Sequence, residues 1–185
     1  MLEDVLSELK SGIEKAIEAL RRDLSKVRTG RAHAGMLESV RVDYYGVHTP
    51  LHQMATVSVP DARLITVKAW EKGQAKHIEK AIREADLGLN PQVDGELVRV
   101  PIPPLTEERR KEMVKITRKH GEECKVAVRK HRRDAMEMLD TLDDEGDVSA
   151  DDADRAKKKV EEIVADGVKN VDHVIAAKEK DILEV

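Results

Sequence analysis

Residues 106–142 read TEERRKEMVKITRKHGEECKVAVRKHRRDAMEMLDTL, and this stretch determines which fold the chain can form. Small or apolar residues recur along it at intervals of three and four, the spacing that places side chains on one face of an α-helix. These residues, which we call the central seam, are Val114, Thr117, Gly121, Cys124, Val128, His131, Ala135, Met138 and Leu142. The pattern predicts one unbroken helix, on the order of 55 Å long, and therefore an elongated molecule.

A second face of the same predicted helix is basic. It carries Lys111, Lys115, Arg118, Lys125, Arg129 and Arg132 at helical spacing. Residues 107–133 contain 11 Lys and Arg against 5 Asp and Glu, whereas residues 134–185 contain 7 against 17. Such a face is often a solvated surface with i,i+4 ion pairs, but Glu112, Glu122 and Glu123 can neutralise only part of it. In a chain of net charge −4, this concentration favours a polyanionic partner, with RNA or DNA backbone as the natural candidate.

Two further helices flank this segment in the sequence. Residues 2–28 carry Leu, Ile and Val in near-heptad register, and the pattern stops at Thr29 and Gly30. A last helix is predicted over about 150–181, preceded by Ser149 and Asp152 in the spacing of a capping box. Its seam residues are Val160, Val164, Gly167, Val171 and Val174. Because no apolar face can be buried alone, the three helices are expected to pack as an antiparallel bundle.

Between the first two helices the sequence period changes to that of strands. Val40, Val42 and Tyr44 alternate with polar residues, as in a half-buried strand. A turn with an edge strand is expected at 45–50, further strands at 56–59, 64–70 and 97–102, and one short helix at 74–85. Trp70 is expected to anchor the core of this module.

The predicted class is therefore α+β, with a small and mostly β α/β domain inserted into the bundle. Residues 1–30 and 105–185 form the bundle in this prediction, and residues 31–104 form the inserted domain. The chain crosses between them twice, at about 30–31 and 101–105, and two thin connections usually permit relative motion. The hinge residues of this prediction are Gly30, Arg31, Pro103 and Pro104.

Composition narrows the functional classes. Aromatic residues make up 2% of the chain and Phe is absent, which argues against reading single-stranded nucleic acid by base stacking. Cys124 is the only cysteine, so no internal disulfide can form and a reducing compartment fits. No signal peptide and no apolar run of about 20 residues is present. We expect a monomeric cytoplasmic protein without membrane contact.

No arrangement of residues with a catalytic or metal-binding pattern stands out. His48 and His52 are separated by Pro50, so a shared helical face is not expected. Cys124 and His120 are spaced like a thiol–base pair, but Cys124 falls on the central seam, which favours a buried structural role. The acidic cluster 143–147 lacks calcium-loop spacing, and no phosphate-binding glycine loop is present. We expect no enzyme activity, no cofactor and no metal site.

The motif RTGRA at 28–32 lies at the predicted joint. Arg28 and Arg31 could complement the dipole of a helix C-terminus, or they could add two cations to the same anion-binding surface. The sequence leaves both readings open.

Several motifs together resemble the ribosome-recycling factor family. They follow the family order from the first helix to the last, over nearly the whole length. These motifs are RTGRA at 28–32, YG at 45–46, PL at 50–51, Gln53, Trp70, IEKAI at 78–82, LGLNP at 87–91, LTEERRK at 105–111, AVR at 127–129 and RRDA at 132–135. The chain departs from the family pattern at Lys130, His131, Met136, at Ala69 before Trp70, and at 33–34.

The resemblance implies an L-shaped molecule that acts on the ribosome after chain release. With elongation factor G and GTP, family members split the ribosome into subunits for reuse. The resemblance implies that Arg129, Arg132 and Arg133 contact large-subunit rRNA. It also makes Arg28 and Arg31 further candidates for such contacts. Lys111, Lys115, Arg118 and Lys125 would extend this positive field, together with Arg110 of the LTEERRK motif.

Three other functions are compatible with parts of the pattern. A coiled-coil scaffold would self-associate and would not bind RNA in a salt-sensitive way. An RNA-modifying enzyme would need a catalytic set that the sequence does not display. A general RNA chaperone would bind free RNA as well as ribosomes.

Overall fold

The computed structural model describes residues 1–184, and the chain divides into two compact units. Met1–Thr29 and Glu107–Glu184 form the first, which we call the bundle unit, and Gly30–Thr106 form the second, the α/β unit. The helices are α1 (Leu2–Ser25), α2 (Ala75–Glu84), α3 (Glu107–Asp144) and α4 (Ala150–Leu183). The strands are β1 (Arg41–Tyr44), β2 (Val47–Pro50), β3 (Ala55–Asp61), β4 (Leu64–Ala69), β5 (Gln92–Asp94) and β6 (Leu97–Pro101). The predicted α+β class is confirmed.

Helices α1, α3 and α4 pack around one apolar core, as their heptad patterns require. Helix α1 buries Val5, Leu6, Leu9, Ile13, Ile17, Leu20 and Leu24. Helix α4 begins at the predicted cap, where the backbone N–H of Asp152 donates to Oγ of Ser149 at 3.2 Å. Cys124 is buried on α3, and its Sγ lies 3.5 Å from the carbonyl oxygen of Ala16 on α1. The structural role expected for this thiol follows from that position.

The central seam of α3 differs from the predicted one at its ends. Met113 and Leu139 are buried, whereas Val114 is half-buried and Met138 is 41% exposed. His131 is also only half-buried. A straight helix has 3.6 residues per turn, so a strict seven-residue repeat drifts around it by about 20° per heptad. Over four heptads this drift moves the buried position by one residue.

The first helix is shorter than its sequence pattern suggests. It ends at Ser25 rather than at 28, and the N–H groups of Lys26 and Val27 donate to carbonyls three residues back, at 3.2 and 3.1 Å. The chain thus leaves the helix through a tightened turn while Val27 remains buried. Gly30 does not cap α1 but adopts a φ of +74° further along the chain.

The α/β unit is built on a four-stranded antiparallel sheet in the order β3-β4-β6-β5, with β1 and β2 forming a separate hairpin. In the sheet centre Ile65 of β4 pairs with Val100 of β6, and Val67 pairs with Val98. All four side chains are fully buried, and α2 contributes its apolar face to the same core. Strand β5 was not expected from the sequence, because its three residues offer a single apolar position between Pro91 and Gly95.

Trp70 does not anchor this core, and that expectation was wrong. Its side chain is 64% exposed, and its indole N–H donates to Oγ1 of Thr56 at 2.8 Å. Aliphatic residues fill the core instead, chiefly Val40, Val42, Ile65, Val67, Ile78, Ile82, Val98 and Val100. Aliphatic side chains from β1, β4, β6 and α2 suffice to fill so small an interior, which leaves the indole on the surface.

Candidate nucleic-acid interface

Helix α3 positions the predicted basic residues, because its seam is fixed against α1 and α4. With the seam inward, the remaining positions border α1, border α4 or face solvent. The structure therefore separates the basic face, treated as one surface in the sequence, into two groups that differ in their partners.

The first group borders α4 and consists of three paired cations. The pairs are Arg118 with Glu179, Lys125 with Asp172, and Arg132 with Glu161. The cations are seven residues apart on α3, and their partners follow in reverse order on α4, as antiparallel helices require. The sequence interpretation counted these cations as unmatched because it considered only acids within 106–142.

Two of the pairs are bidentate. Arg118 donates from Nε to Oε1 of Glu179 at 2.6 Å and from Nη2 to Oε2 at 3.3 Å. Arg132 donates from Nε to both carboxylate oxygens of Glu161, at 3.0 and 3.1 Å, and from Nη2 to Oε1. Two parallel N–H···O bonds match the planar guanidinium to the planar carboxylate and make this geometry stronger than a point contact.

The Lys125 ammonium is the most covered of the three. Its side chain is 21% exposed, and Nζ lies 2.7 Å from Oδ1 of Asp172 and 3.6 Å from Oε1 of Glu122. The hydrogen bond to Asp172 raises the pKa of Lys125 above its ordinary value, with burial acting in the opposite direction. Lys125 thus ties α3 to α4 and offers little surface to an external phosphate.

Hydrogen bonds within the ion pairs also shift the pKa values of Arg118, Arg132 and Glu161. The hydrogen bonds from Arg132 hold the pKa of the Glu161 carboxyl below its usual value. The pKa values of Arg118 and Arg132 are raised by their bonds to Glu179 and Glu161, respectively. Arg118, Lys125, Arg132 and Glu161 are therefore charged at neutral pH.

The second group faces solvent, and we call it the outer stripe. It consists of Lys111, Lys115, Arg129, Lys130 and Arg133. All five are exposed, and within residues 1–184 none has an ion-pair or hydrogen-bond partner. Four of them were predicted, whereas Lys130 was noted only as a departure from the family pattern. Projecting the sequence on a helix with Gly121 and Val128 inward would have shown that Lys130 faces outward.

The other predicted cations have different surroundings. Arg110 is half-buried and donates from Nη1 to the carbonyl of Leu183 at 3.3 Å, so it satisfies a free acceptor at the end of α4. Arg28 is an exposed residue in the segment after α1, within the bundle unit. Arg31 is half-buried in the α/β unit. Helix α1 ends at Ser25, so Arg28 lies beyond the helix, and both readings of Arg28 remain predictions.

None of the helices in the described part of the chain is long and apolar enough to cross a membrane. Residues 1–184 also contain no group of three or more His, Cys, Asp or Glu side chains arranged to hold a metal ion.

Comparison with known proteins gives the basic helix its context. The family model described as ribosome recycling factor matches residues 20–183, which is most of the chain. The chain belongs to the ribosome recycling factor family. Members of this family take part in ribosome recycling during protein biosynthesis.

Curated relatives match over all or nearly all of their length. The ribosome-recycling factor of Sorangium cellulosum (strain So ce56) is 74% identical over 185 residues, covering all of both chains. That of Anaeromyxobacter dehalogenans (strain 2CP-C) is 57% identical over 183 residues, covering 99% of this chain and 97% of the relative.

Solved ribosome recycling factor structures have the same fold. A solution structure of the factor matches with a TM-score of 0.74 and 38% identity, covering 100% of this chain and 98% of the other. A second match has a TM-score of 0.65 and 42% identity, with 99% of both chains covered. It belongs to models of the T. thermophilus ribosome recycling factor and the E. coli elongation factor G bound to the E. coli post-termination complex.

Proposed function

We propose that this protein, with elongation factor G and GTP, splits the post-termination ribosome into subunits for reuse. In this proposal it binds large-subunit rRNA through the outer stripe of α3. The observation that carries the RNA contact is that five exposed cations on one helix have no internal partner among the described residues. Phosphate contacts need only correctly spaced Lys and Arg, because the backbone charge itself is recognised.

The proposal needs no chemistry from this chain. The free energy for splitting would come from GTP bound by elongation factor G, and the protein would act as a monomeric, non-enzymatic factor in the cytoplasm. A structurally similar ribosome recycling factor is described on the post-termination complex together with elongation factor G, which supports the same partners here.

Motion of the α/β unit on its two connections is part of the proposal. Ala32 donates its backbone N–H to the carbonyl of Ala62 at 2.7 Å, and Ile102 donates to the carbonyl of Arg63 at 2.8 Å. Both connecting segments are therefore fastened to the same turn between β3 and β4. These two hydrogen bonds support a hinge outside 32–102, with Gly30, Arg31, Pro103 and Pro104 as its proposed residues.

The direct test is light scattering of post-termination ribosomes mixed with the protein, elongation factor G and GTP. We expect a fall in scattering that needs all three components. Replacing Arg129 and Arg133 together with Ala should slow this fall at least tenfold without lowering the thermal midpoint, because neither side chain has a partner in the described fold. The matched control removes two exposed cations of α4 through Lys158→Ala and Lys169→Ala.

The outcomes separate the alternatives. If the α3 and α4 variants slow splitting equally, net charge rather than the outer stripe is responsible. Absence of splitting by a folded protein would contradict the proposal. In that case, equal binding to free RNA and ribosomes would indicate an RNA chaperone, and self-association without RNA binding would indicate a scaffold.

A further inference from the structure

The two bidentate pairs between α3 and α4 differ from a buried structural pair because their arginine side chains are accessible to solvent. The Arg118 side chain is 68% exposed and the Arg132 side chain is 43% exposed, although each guanidinium donates to a carboxylate through Nε and Nη2. An external anion can therefore approach either guanidinium without any movement of the helices. Lys125, between them, does not share this access.

Carboxylate and phosphate compete for the same donors. Both present two oxygens at the spacing of the guanidinium fork and both accept bidentate hydrogen bonds. The Glu161 carboxylate already occupies Arg132, and that of Glu179 occupies Arg118. The same helix carries the unpaired outer stripe, so a phosphate backbone on that stripe would pass close to both occupied arginines.

We propose that Glu161 and Glu179 are internal competitors of rRNA phosphate. These carboxylates occupy Arg132 and Arg118 in the free protein and so weaken its binding to the ribosome. This inference rests on the proposed function. A factor that must leave the ribosome after each round gains from such competition, because a phosphate that binds the Nε and Nη2 edge of these arginines replaces an internal partner. The outer stripe can bind phosphate without breaking an internal ion pair. The two pairs lower the affinity that the whole basic face would otherwise have.

The competition has a distinctive salt signature. A free cation that meets a phosphate displaces counterions from the RNA, and this makes binding weaken steeply with salt. When the phosphate displaces a carboxylate instead, that carboxylate collects cations from solution, and the net release of ions falls. Removing the internal competitor should therefore strengthen binding and also steepen its dependence on salt.

The experiment measures binding of the whole protein to purified large ribosomal subunits by pelleting, over a series of salt concentrations. For Glu161→Gln, and separately for Glu179→Gln, we expect an association constant about two- to fivefold higher, the range of exposed ion-pair energies. The slope of log K against log salt should steepen by on the order of 0.7–0.9 for each freed arginine. Glutamine keeps the size of the side chain, removes its charge and replaces one acceptor oxygen with an NH2 donor, which cannot accept from the guanidinium.

Glu162→Gln is the matched control. Glu162 is the neighbouring residue on α4, lies on the side that faces α1, beside Lys10 and Lys159, and is not paired with a cation of α3. The Glu162→Gln substitution removes one negative charge from the same helix, so it reports how lower acidity alone affects binding. A larger change in both affinity and slope for Glu161→Gln than for Glu162→Gln would support the inference.

The failure of the inference and that of the proposed function give different results. If wild-type binding weakens with salt while Glu161→Gln and Glu179→Gln both behave like Glu162→Gln, the carboxylates are structural partners only and the inference is overturned. If wild-type binding does not respond to salt, and the Arg129 and Arg133 replacements leave it unchanged, the rRNA contact itself is wrong and the inference falls with it.

Discussion

The side chain of Ile175 on α4 fills the space that a side chain at Gly121 on α3 would occupy. A Cβ atom built on Gly121 overlaps Cδ1 of Ile175 and lies 2.8 Å from its Cγ1. Gly121 is buried in the middle of a 38-residue helix, where glycine normally weakens helical structure. Close approach of α4, rather than backbone conformation, therefore explains why glycine is needed here.

Gly121→Ala should lower the free energy of unfolding, although alanine is the better helix former. Overpacking a tight interface costs about 1–3 kcal/mol, while the gain in helix propensity is about 1 kcal/mol, so we expect a net loss on the order of 1 kcal/mol. In an Ile175→Ala background the same change should instead stabilise by about 0.5–1 kcal/mol. Denaturant unfolding of the four proteins checks this, and equal signs in both backgrounds would contradict it.

The exposed indole of Trp70 predicts a solvent-like fluorescence. As the only tryptophan, Trp70 should show red-shifted emission and ready collisional quenching by acrylamide in the folded protein. Trp70→Phe should cost less than about 1 kcal/mol, well below the roughly 3–5 kcal/mol typical of losing a large buried aromatic side chain. Ile78→Ala in α2 provides the core comparison, because Ile78 is fully buried. Blue-shifted, unquenched emission would show that the indole is buried.

Glu71 should control the ionisation of two tyrosines. Tyr44 and Tyr45 both donate their hydroxyl hydrogens to Glu71, Tyr45 at 2.6 Å from Oε1. These hydrogen bonds raise the pKa of each tyrosine and lower that of Glu71. A raised pKa in the folded state means that this contribution to stability is complete below the unfolded tyrosine pKa of about 10. It is lost as the pH rises through the folded value.

Titration of phenolate absorbance tests this arrangement. In Glu71→Gln both tyrosines should ionise at lower pH than in the wild type, because the neutral amide is a weaker acceptor and carries no repelling charge. Glu96→Gln, an exposed carboxylate elsewhere in the α/β unit, is the control. Identical titration curves for wild type and Glu71→Gln would exclude the shared carboxylate as the cause.

Loss of the cap at α4 should weaken the bundle unit measurably. Oγ of Ser149 accepts from the backbone N–H of Asp152 and donates to its carboxylate at 2.7 Å. Ser149→Ala should cost about 1 kcal/mol, or roughly 2–4 °C in Tm for a chain of this size. Ser7→Ala, at an exposed position inside α1, should have no such effect. Equal shifts for the two variants would mean that the cap contributes nothing specific.

The sequence predicted the elements whose periodicity is long and regular. The heptads of α1 and α4 identify most of their buried residues, although Val174 is only half-buried, and Ser149 identifies the start of α4. Near the end of α3 the buried residue is Leu139, one position after the predicted Met138. A seven-residue repeat does not account for the gradual rotation of the buried face around a helix with 3.6 residues per turn. Strand β5 is too short to generate a periodic signal, and Trp70 shows that size and apolarity alone do not determine burial.

The candidate site was predictable only in part, for a physical reason. Sequence spacing places Arg118, Lys125 and Arg132 on one helix, but the partner of each depends on the register between α3 and α4. That register is set by packing and by the short connection before Ser149, so the pairing with Glu161 and Glu179 could not be read from either helix alone. The outer stripe was largely predicted, because exposed residues need no partner to define them.

The two units each carry a single residue of a kind found nowhere else in the chain. The thiol of Cys124 is buried between α1 and α3, and burial raises its pKa, so alkylating reagents should reach it only when the helices separate. Trp70 reports on the α/β unit from its surface. The wild-type protein therefore contains two independent reporters. The rate of Cys124 alkylation reports on opening of the helices, and the fluorescence of Trp70 reports on changes in the α/β unit.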